Sequence, residues 1–171
     1  MNTFIALLRA INVGGTGKLA MKDLATLCEQ AGGTQVRTYI QSGNVVFRTR
    51  LAERTVKRAL EDALTKKLGK PARVLLRRLD AFERTLAEQP FPSAAPNRVI
   101  VMFYDRPIGE EEVADLAAPD GEELHLCGRE LHIHYPNGQG RSKLKLPSAA
   151  EATGRNLNTL RKLAELAHGL E

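Results

Sequence analysis

A stretch of glycines, amides and basic side chains near the start of the chain has the clearest potential for chemistry. It runs from Arg9 to Lys18, directly after a short apolar segment, and a second polar turn at 41–44 follows the next predicted strand. Glycine-rich backbone at the start of a helix can present its N–H groups to an anion. A guanidinium can also bind a phosphate or a carboxylate through two hydrogen bonds. The two segments therefore predict a polar, cationic pocket for an anionic ligand.

Ten residues from both halves of the chain are candidates for this pocket. Glycine and asparagine are also ordinary turn residues, so the alternative is that several of them only shape the loop. Near the C-terminus, Asn156 or Thr153 is expected to cap the last helix, and a solvent-facing Arg155 is the alternative to a place in the pocket. The candidate ligand-binding residues are Arg9, Asn12, Gly14, Gly15, Lys18, Gln41, Ser42, Asn44, Lys143 and Arg155.

Two well-known phosphate-binding motifs can be tested against the first segment. The Walker A pattern fails because Leu19 follows Lys18 and no glycine lies five positions before Gly17. Residues 15–20 fit the pattern G-x-G-x-x-A, but the second predicted strand ends in Gln41 rather than in an acidic residue. The sequence therefore predicts neither nucleotide-binding motif and no bound cofactor.

No partnered set of catalytic residues is evident in the sequence. Ser42 has no obvious base, and Asp23 is the only carboxylate close to the first segment. The leading hypothesis is a binding module for a phosphorylated or carboxylated ligand, a class that includes nucleotides and nucleic acids. The alternatives are a small enzyme that uses the same pocket, where amides and Arg9 would stabilise charge without titrating, and a non-catalytic interaction domain.

Hydrophobic periodicity predicts an α+β protein. The order of the first six elements, β-α-β-β-α-β, is that of a ferredoxin-like unit with the first and third strands in the middle, here packed against a smaller second α/β unit. The expected domains are 1–78 and 79–171. The predicted strands are 3–10, 36–41, 44–49, 72–77, 99–104, 123–127 and 130–135, and the predicted helices are 21–31, 52–68, 79–89, 110–118 and 156–168.

The crossover helix between the first two strands has a consequence for the pocket. Strands joined in this way run parallel, so the loop after the first strand and the turn after the second lie at the same end of the sheet. We therefore expect Asn12 and the 42–44 turn to converge. Stacking of RNA bases on the open sheet is not expected, because the third strand carries only one aromatic residue, Phe47.

Charge is segregated along the chain. Residues 1–78 carry 15 Lys and Arg against 5 acidic residues, whereas residues 79–135 carry 4 against 12. This pattern indicates either a basic face for a polyanion or two halves that neutralise each other. The chain of 171 residues has no apolar run long enough to cross a membrane and two cysteines, Cys28 and Cys127, which predicts a cytoplasmic protein without membrane contact.

A predicted hairpin around Gly128 and Arg129 is the one arrangement with metal-type ligands. A two-residue turn places its polar residues on one strand face and its leucines on the other. Neighbouring ligands on a flat sheet rarely converge on a tetrahedral ion, so we predict no metal. The polar face consists of His125, Cys127, Glu130, His132 and His134.

Four blocks, 6–15, 38–45, 140–144 and 153–159, together resemble the bacterial family called domain of unknown function 1697. The resemblance spans nearly the whole chain, with Ala10 where the family usually has glycine and Leu157 where it usually has tryptophan. It implies a pair of small α/β units and the positions of the motifs. The family name states no activity.

Overall fold

The computed structural model describes residues 1–9, 19–39 and 43–170. Within these residues the chain is a mixed α+β protein with two four-stranded antiparallel sheets and four α-helices. By its internal contacts it divides into two compact units, one made of residues 1–83 with 162–171 and the other of residues 84–161. Across the described ranges, no helix is both long and apolar enough to traverse a bilayer.

The elements alternate regularly in the first half and less regularly in the second. The strands are β1 (Asn2–Arg9), β2 (Thr34–Tyr39), β3 (Asn44–Thr49), β4 (Arg73–Arg78), β5 (Val99–Phe103), β6 (Glu123–Cys127), β7 (Glu130–His134) and β8 (Thr153–Asn156). The helices are α1 (Met21–Gln30), α2 (Glu53–Leu68), α3 (Leu79–Ala87) and α4 (Leu157–His168).

The first sheet has the strand order β2-β3-β1-β4, with β1 and β3 in the middle as the crossover argument predicts. One face of this sheet forms a hydrophobic core with α1 and α2, to which the helices contribute Leu24, Leu60 and Leu64. Phe4 of β1 and Phe47 of β3 stack in this core with ring centroids 5.9 Å apart. The unbroken apolar run of β1 is explained by its central position, because both of its faces are buried.

Cys28 of α1 belongs to this core and is fully buried. Burial raises the pKa of its thiol to about 12, so almost no thiolate forms near neutral pH. Burial and Glu88 also raise the pKa of Cys127, but its thiol is only partly buried. We therefore expect iodoacetamide to alkylate Cys127 and to leave Cys28 unmodified in the native protein. Peptide mass mapping checks this, with the urea-unfolded chain as the control in which both thiols react. Rapid native labelling of Cys28 would contradict the prediction.

The second sheet has the order β6-β7-β5-β8 and contains the predicted hairpin. The two-residue turn is confirmed, because Cys127 pairs with Glu130 and His125 pairs with His132. Gly128 adopts a positive φ of 60° in this turn, a conformation that glycine adopts without steric cost. The leucines and Ile133 of the hairpin face a second hydrophobic core, which also contains Met102 and Tyr135.

The predicted acidic helix at 110–118 is wrong. Only a short 3-10 helix, Glu110–Glu112, forms there, and turns follow it. Glu112 accepts a hydrogen bond from the backbone N–H of Gly109 at 2.9 Å and binds Arg106 through Nη2 at 2.7 Å, which stabilises a single turn. Like charges one helical turn apart and acidic groups towards a helix C-terminus both oppose a longer helix.

The strand β8 is absent from the sequence prediction, which placed only a helix cap in that region. Glycine and asparagine have low strand propensity, but pairing with β5 outweighs it, with Gly154 opposite Met102. The expected cap is confirmed, since Asn156 Oδ1 accepts a hydrogen bond from the Thr159 N–H at 2.9 Å. The fourth strand begins at Arg73, one residue later than expected.

Candidate functional site

Four strands begin or finish at one end of the first sheet, which we call the loop end. Arg9 and Tyr39 are the last residues of β1 and β2, whereas Asn44 and Arg73 are the first residues of β3 and β4. Both β1 and β2 pair antiparallel with β3, so they run parallel to each other. The expectation that the segments after β1 and β2 start at the same end of the sheet is therefore confirmed.

The turn before β3 is bound directly to the end of β1. The backbone N–H of Leu8 donates to the carbonyl oxygen of Gly43 at 2.8 Å. Gly43 has a positive φ of 78°, and a Cβ atom at this position would lie 2.8 Å from the Cβ atom of Leu8. A residue with a side chain would therefore be both strained and sterically blocked here.

Asn44, a predicted ligand-binding residue, is fully buried. Its side-chain Nδ2 donates to the backbone carbonyl of Tyr39 at 3.0 Å, across the base of the turn. The amide thus links the end of β2 to the start of β3. This contact gives Asn44 a positioning role, since it holds the two ends that flank residues 40–42.

Arg9 and Arg73 are paired residues of β1 and β4 at the loop end. Leu8 and Val74 point into the core with α1 and α2, so alternation places both arginines on the opposite face. Side chains directly opposite each other on antiparallel strands are close neighbours, and like charges there destabilise the pairing. Within residues 1–9, 19–39 and 43–170, neither guanidinium forms an ion pair.

Arg73 was missed by the sequence prediction although a signal for it exists. A fourth strand antiparallel to the first must begin where the first one ends, so the opening residue of the fourth strand reaches the same end of the sheet. The strand-end residues at the loop end, Arg9, Tyr39, Gly43, Asn44 and Arg73, include no carboxylate and no histidine. The carboxylate of Glu61 lies nearby, but its Oε2 accepts a hydrogen bond from the Val74 N–H at 2.9 Å. This composition suits the binding of an anion better than acid–base chemistry.

Six further predicted residues lie outside the described part of the chain. They fall within residues 10–18 and 40–42, which follow β1 and β2 in the sequence. These residues are Asn12, Gly14, Gly15, Lys18, Gln41 and Ser42.

The remaining two candidates, Lys143 and Arg155, lie in the second unit. Lys143 is exposed, and its backbone N–H donates to Asp120 Oδ2 at 3.1 Å. Arg155 is buried in β8, where its Nη1 donates to Thr153 Oγ1 at 2.6 Å and to the Gly154 carbonyl at 2.9 Å. Burial lowers the pKa of Arg155 to about 10. Its guanidinium is therefore anchored to its own strand.

The polar face of the β6–β7 hairpin forms as expected, but its side chains have other partners. Cys127 Sγ donates to Glu88 Oε2 at 3.4 Å, and Glu130 Oε1 accepts from Thr85 Oγ1 at 3.0 Å. Thr85 lies in α3, and Glu88 is the residue directly after this helix. The sequence did not reveal that α3 lies beside the hairpin. Among the residues that the structure describes, no group of three or more His, Cys, Asp and Glu could hold a metal ion.

His132 is the unusual member of this face. It is 1% exposed, and neither ring nitrogen has a hydrogen-bond partner among the described residues. The ring of His125 lies edge-on to it, with the centroids 6.4 Å apart. Burial, reinforced by His125, lowers the pKa of His132 to about 4. The imidazole is therefore neutral at physiological pH.

Comparison with known proteins supports the family resemblance of the first two sequence blocks, 6–15 and 38–45. The sequence model of a family described as a protein of unknown function, DUF1697, matches residues 1–132. The chain belongs to the DUF1697 family. The matched region contains the whole loop end and the β6–β7 hairpin through His132. No protein with a curated description matches this DUF1697 chain.

A solved structure has a similar fold over nearly the full length. It is described as a conserved bacterial protein, SP0830, from Streptococcus pneumoniae, and is 25% identical in sequence to this DUF1697 protein. The TM-score is 0.81, and the alignment covers 97% of this chain and 98% of that one. The fold of this chain is thus similar to that of a solved bacterial protein.

Proposed function

We propose that this DUF1697 protein binds a phosphorylated or carboxylated ligand at the loop end of its first sheet. The observation that carries the proposal is the pair of opposed arginines, Arg9 and Arg73, without an ion pair among the described residues. Their mutual repulsion is relieved when an anion lies between them, since a guanidinium binds phosphate or carboxylate through charge-assisted hydrogen bonds.

The segments that follow β1 and β2 would complete the site. Asn12, Gly14, Gly15, Lys18, Gln41 and Ser42 are our proposed additional contacts, with Asn44 holding the turn in place. The βαββαβ order with β1 and β3 central supports the interpretation of the first unit as ferredoxin-like. A bacterial cytoplasm, where such anions are abundant and free thiols persist, is the compartment that we propose.

A thermal-shift screen against inorganic phosphate, citrate, nucleotides and a short single-stranded RNA tests the proposal. We expect at least one anion to raise the melting temperature of the wild-type protein. We expect Arg9→Ala and Arg73→Ala each to weaken its binding about tenfold to a hundredfold, the equivalent of one lost charge-assisted hydrogen bond. Isothermal titration of the ligand found in the screen gives these affinities.

Arg58→Ala is the matched control, because Arg58 is an exposed arginine on α2, away from the strand ends. It removes the same charge and is expected to leave the affinity unchanged. Equal loss of binding in all three variants would show a non-specific charge effect and would refute the assignment. The absence of a shift with every anion would also refute it. A steep fall of affinity with salt would identify a nucleic acid rather than a small anion.

A further inference from the structure

A cavity in the second unit has no lining residue in common with the proposed anion site. Its volume is about 260 Å³. Met102 of β5 and Tyr135, which follows β7, form the side contributed by the sheet. The other side is contributed by the segment 139–149, here called the strap. The lining residues are Met102, Tyr135, Gln139, Ser142, Leu144, Leu146 and Ala149.

The strap is fastened by hydrogen bonds to the segment before β6. Ser142 Oγ donates to Glu122 Oε1 at 2.5 Å and accepts from the Leu144 N–H at 3.1 Å. Lys143 N–H donates to Asp120 at 3.1 Å. The Ser142 bond lowers the pKa of Glu122, so its buried carboxyl is ionised. The wall of the cavity is therefore preformed, which lowers the entropic cost of binding a ligand.

The wall formed by Met102 depends on a glycine in the neighbouring strand. A Cβ atom at Gly154 would lie 2.7 Å from Met102 Sδ, so the thioether occupies the space that a side chain at position 154 would need. Gly154 and the strap residues 140–144 belong to the two sequence blocks that the proposed anion site leaves unexplained. Both blocks thus contribute to the shape of this cavity.

The lining is mixed, because Tyr135, Gln139 and Ser142 bring polar groups beside the apolar side chains. Tyr135 is 7% exposed, and its hydroxyl has no hydrogen-bond partner within the described part of the chain. Burial raises the pKa of Tyr135, and the charge of Glu122 acts in the same direction. The hydroxyl is therefore neutral and can both donate and accept a hydrogen bond. The nearby Glu122 carboxylate disfavours a negatively charged ligand.

We propose that this cavity binds a neutral planar ring compound, of phenol to indole size, that carries one hydrogen-bonding group. An apolar cavity of about 150 Å³ accommodates benzene, so the volume here suits a somewhat larger ring. A methionine sulfur and an aromatic ring in the lining both favour an aromatic guest over an aliphatic one. The Tyr135 hydroxyl then bonds the polar group of the ring.

Indole is the probe that tests the proposal most directly. The chain contains no tryptophan, so the fluorescence of added indole is observed without a protein background from that residue. We expect a saturable change in indole fluorescence on titration with the wild-type protein. Phenol should compete with indole, whereas benzoate, the charged analogue, should not. No saturable change, or equal competition by benzoate, would overturn the proposal.

Two variants locate the binding. Ala149→Leu fills the cavity and should weaken indole binding at least about tenfold. Tyr135→Phe keeps the ring and should weaken it about threefold to tenfold, the effect of one hydrogen bond. Ala150→Leu is the control, because Ala150 is exposed and next to Ala149 but does not line the cavity. If neither Tyr135→Phe nor Ala149→Leu changes the affinity for indole, the site is refuted. Thermal melting of each variant checks that it is folded.

Discussion

We expect His132→Leu to lose less folding free energy in acid than the wild-type protein. An unfolded histidine takes up a proton near pH 6.5, whereas the pKa of His132 is lowered to about 4 in the folded protein. Between these values the unfolded state binds the proton and the folded state does not. The stability of the folded protein therefore falls as the pH drops from 6.5 to 4, by about 3 kcal/mol in all. Leucine contributes no such loss.

The groups around His132 act in both directions. His125 on β6 lowers its pKa further, whereas Glu130 on its own strand and Glu88 after α3 raise it. Burial is the largest contribution, because the ring is 1% exposed and its nitrogens lack partners among the described residues. Leucine at this position also removes an unsatisfied polar group, so we expect the variant to be at least as stable as the wild type at pH 7.

Urea unfolding at pH 7, 5.5 and 4 measures this effect. The free energy of unfolding of His132→Leu should fall less between pH 7 and pH 4 than that of the wild type, by up to about 3 kcal/mol. His125→Gln is the control, since His125 is exposed on the neighbouring strand. It should keep most of the wild-type pH dependence. If His132→Leu loses as much stability in acid as the wild type, the buried neutral histidine is not its cause.

Gly43→Ala is expected to destabilise the protein by roughly 3 kcal/mol. Two costs combine at this position: a positive φ of 78°, and a Cβ atom 2.8 Å from that of Leu8. Because the Gly43 carbonyl accepts the Leu8 N–H, relief of the clash must displace the turn from the end of β1. The affinity for the anion identified in the thermal-shift screen should fall as well.

Gly69→Ala separates these two costs. Gly69, the left-handed cap of α2, has a φ of 71°, but a Cβ atom there would meet nothing within 4 Å. It should therefore cost only about 1 kcal/mol, the conformational part alone. Urea unfolding of both variants gives the comparison. Equal losses in the two proteins would show that close contact with Leu8 does not constrain the turn before β3.

Local pattern was sufficient wherever one physical requirement dominated. The apolar run of β1 predicts a strand buried on both faces, and the apolar stripes of α1 and α2 predict helices against a core. The parallel direction of β1 and β2 follows from chain connectivity alone. It correctly predicts that both strands end at the same end of the sheet. The hairpin register follows from the two residues of its turn.

Local pattern failed where long-range pairing or desolvation decides the outcome. Residues 110–118 have an acidic, helix-like composition, yet Arg106 and Gly109 hold Glu112 in a single turn. Thr153–Asn156 forms a strand only because the edge of β5 is available to it. The strand β5 lies outside the short window from which strand propensity is read, so no local signal revealed the pairing of β8. Arg106 and Gly109 lie inside that window, but their hydrogen bonds to the Glu112 side chain are not part of helix propensity.

The sequence by itself determined the α+β class, the elements of the first unit and the end of the first sheet at which its polar segments begin. These features depend on hydrophobic periodicity and on the direction of connected strands, which are local properties. Only the tertiary structure decided which polar side chains are available for binding. Asn44 and Arg155 look like ligand-binding residues in the sequence, but both are buried and bonded to backbone, whereas Arg73 is exposed opposite Arg9. Burial and partner are set by elements distant in the chain, because a polar group that loses water must find a hydrogen bond within the fold.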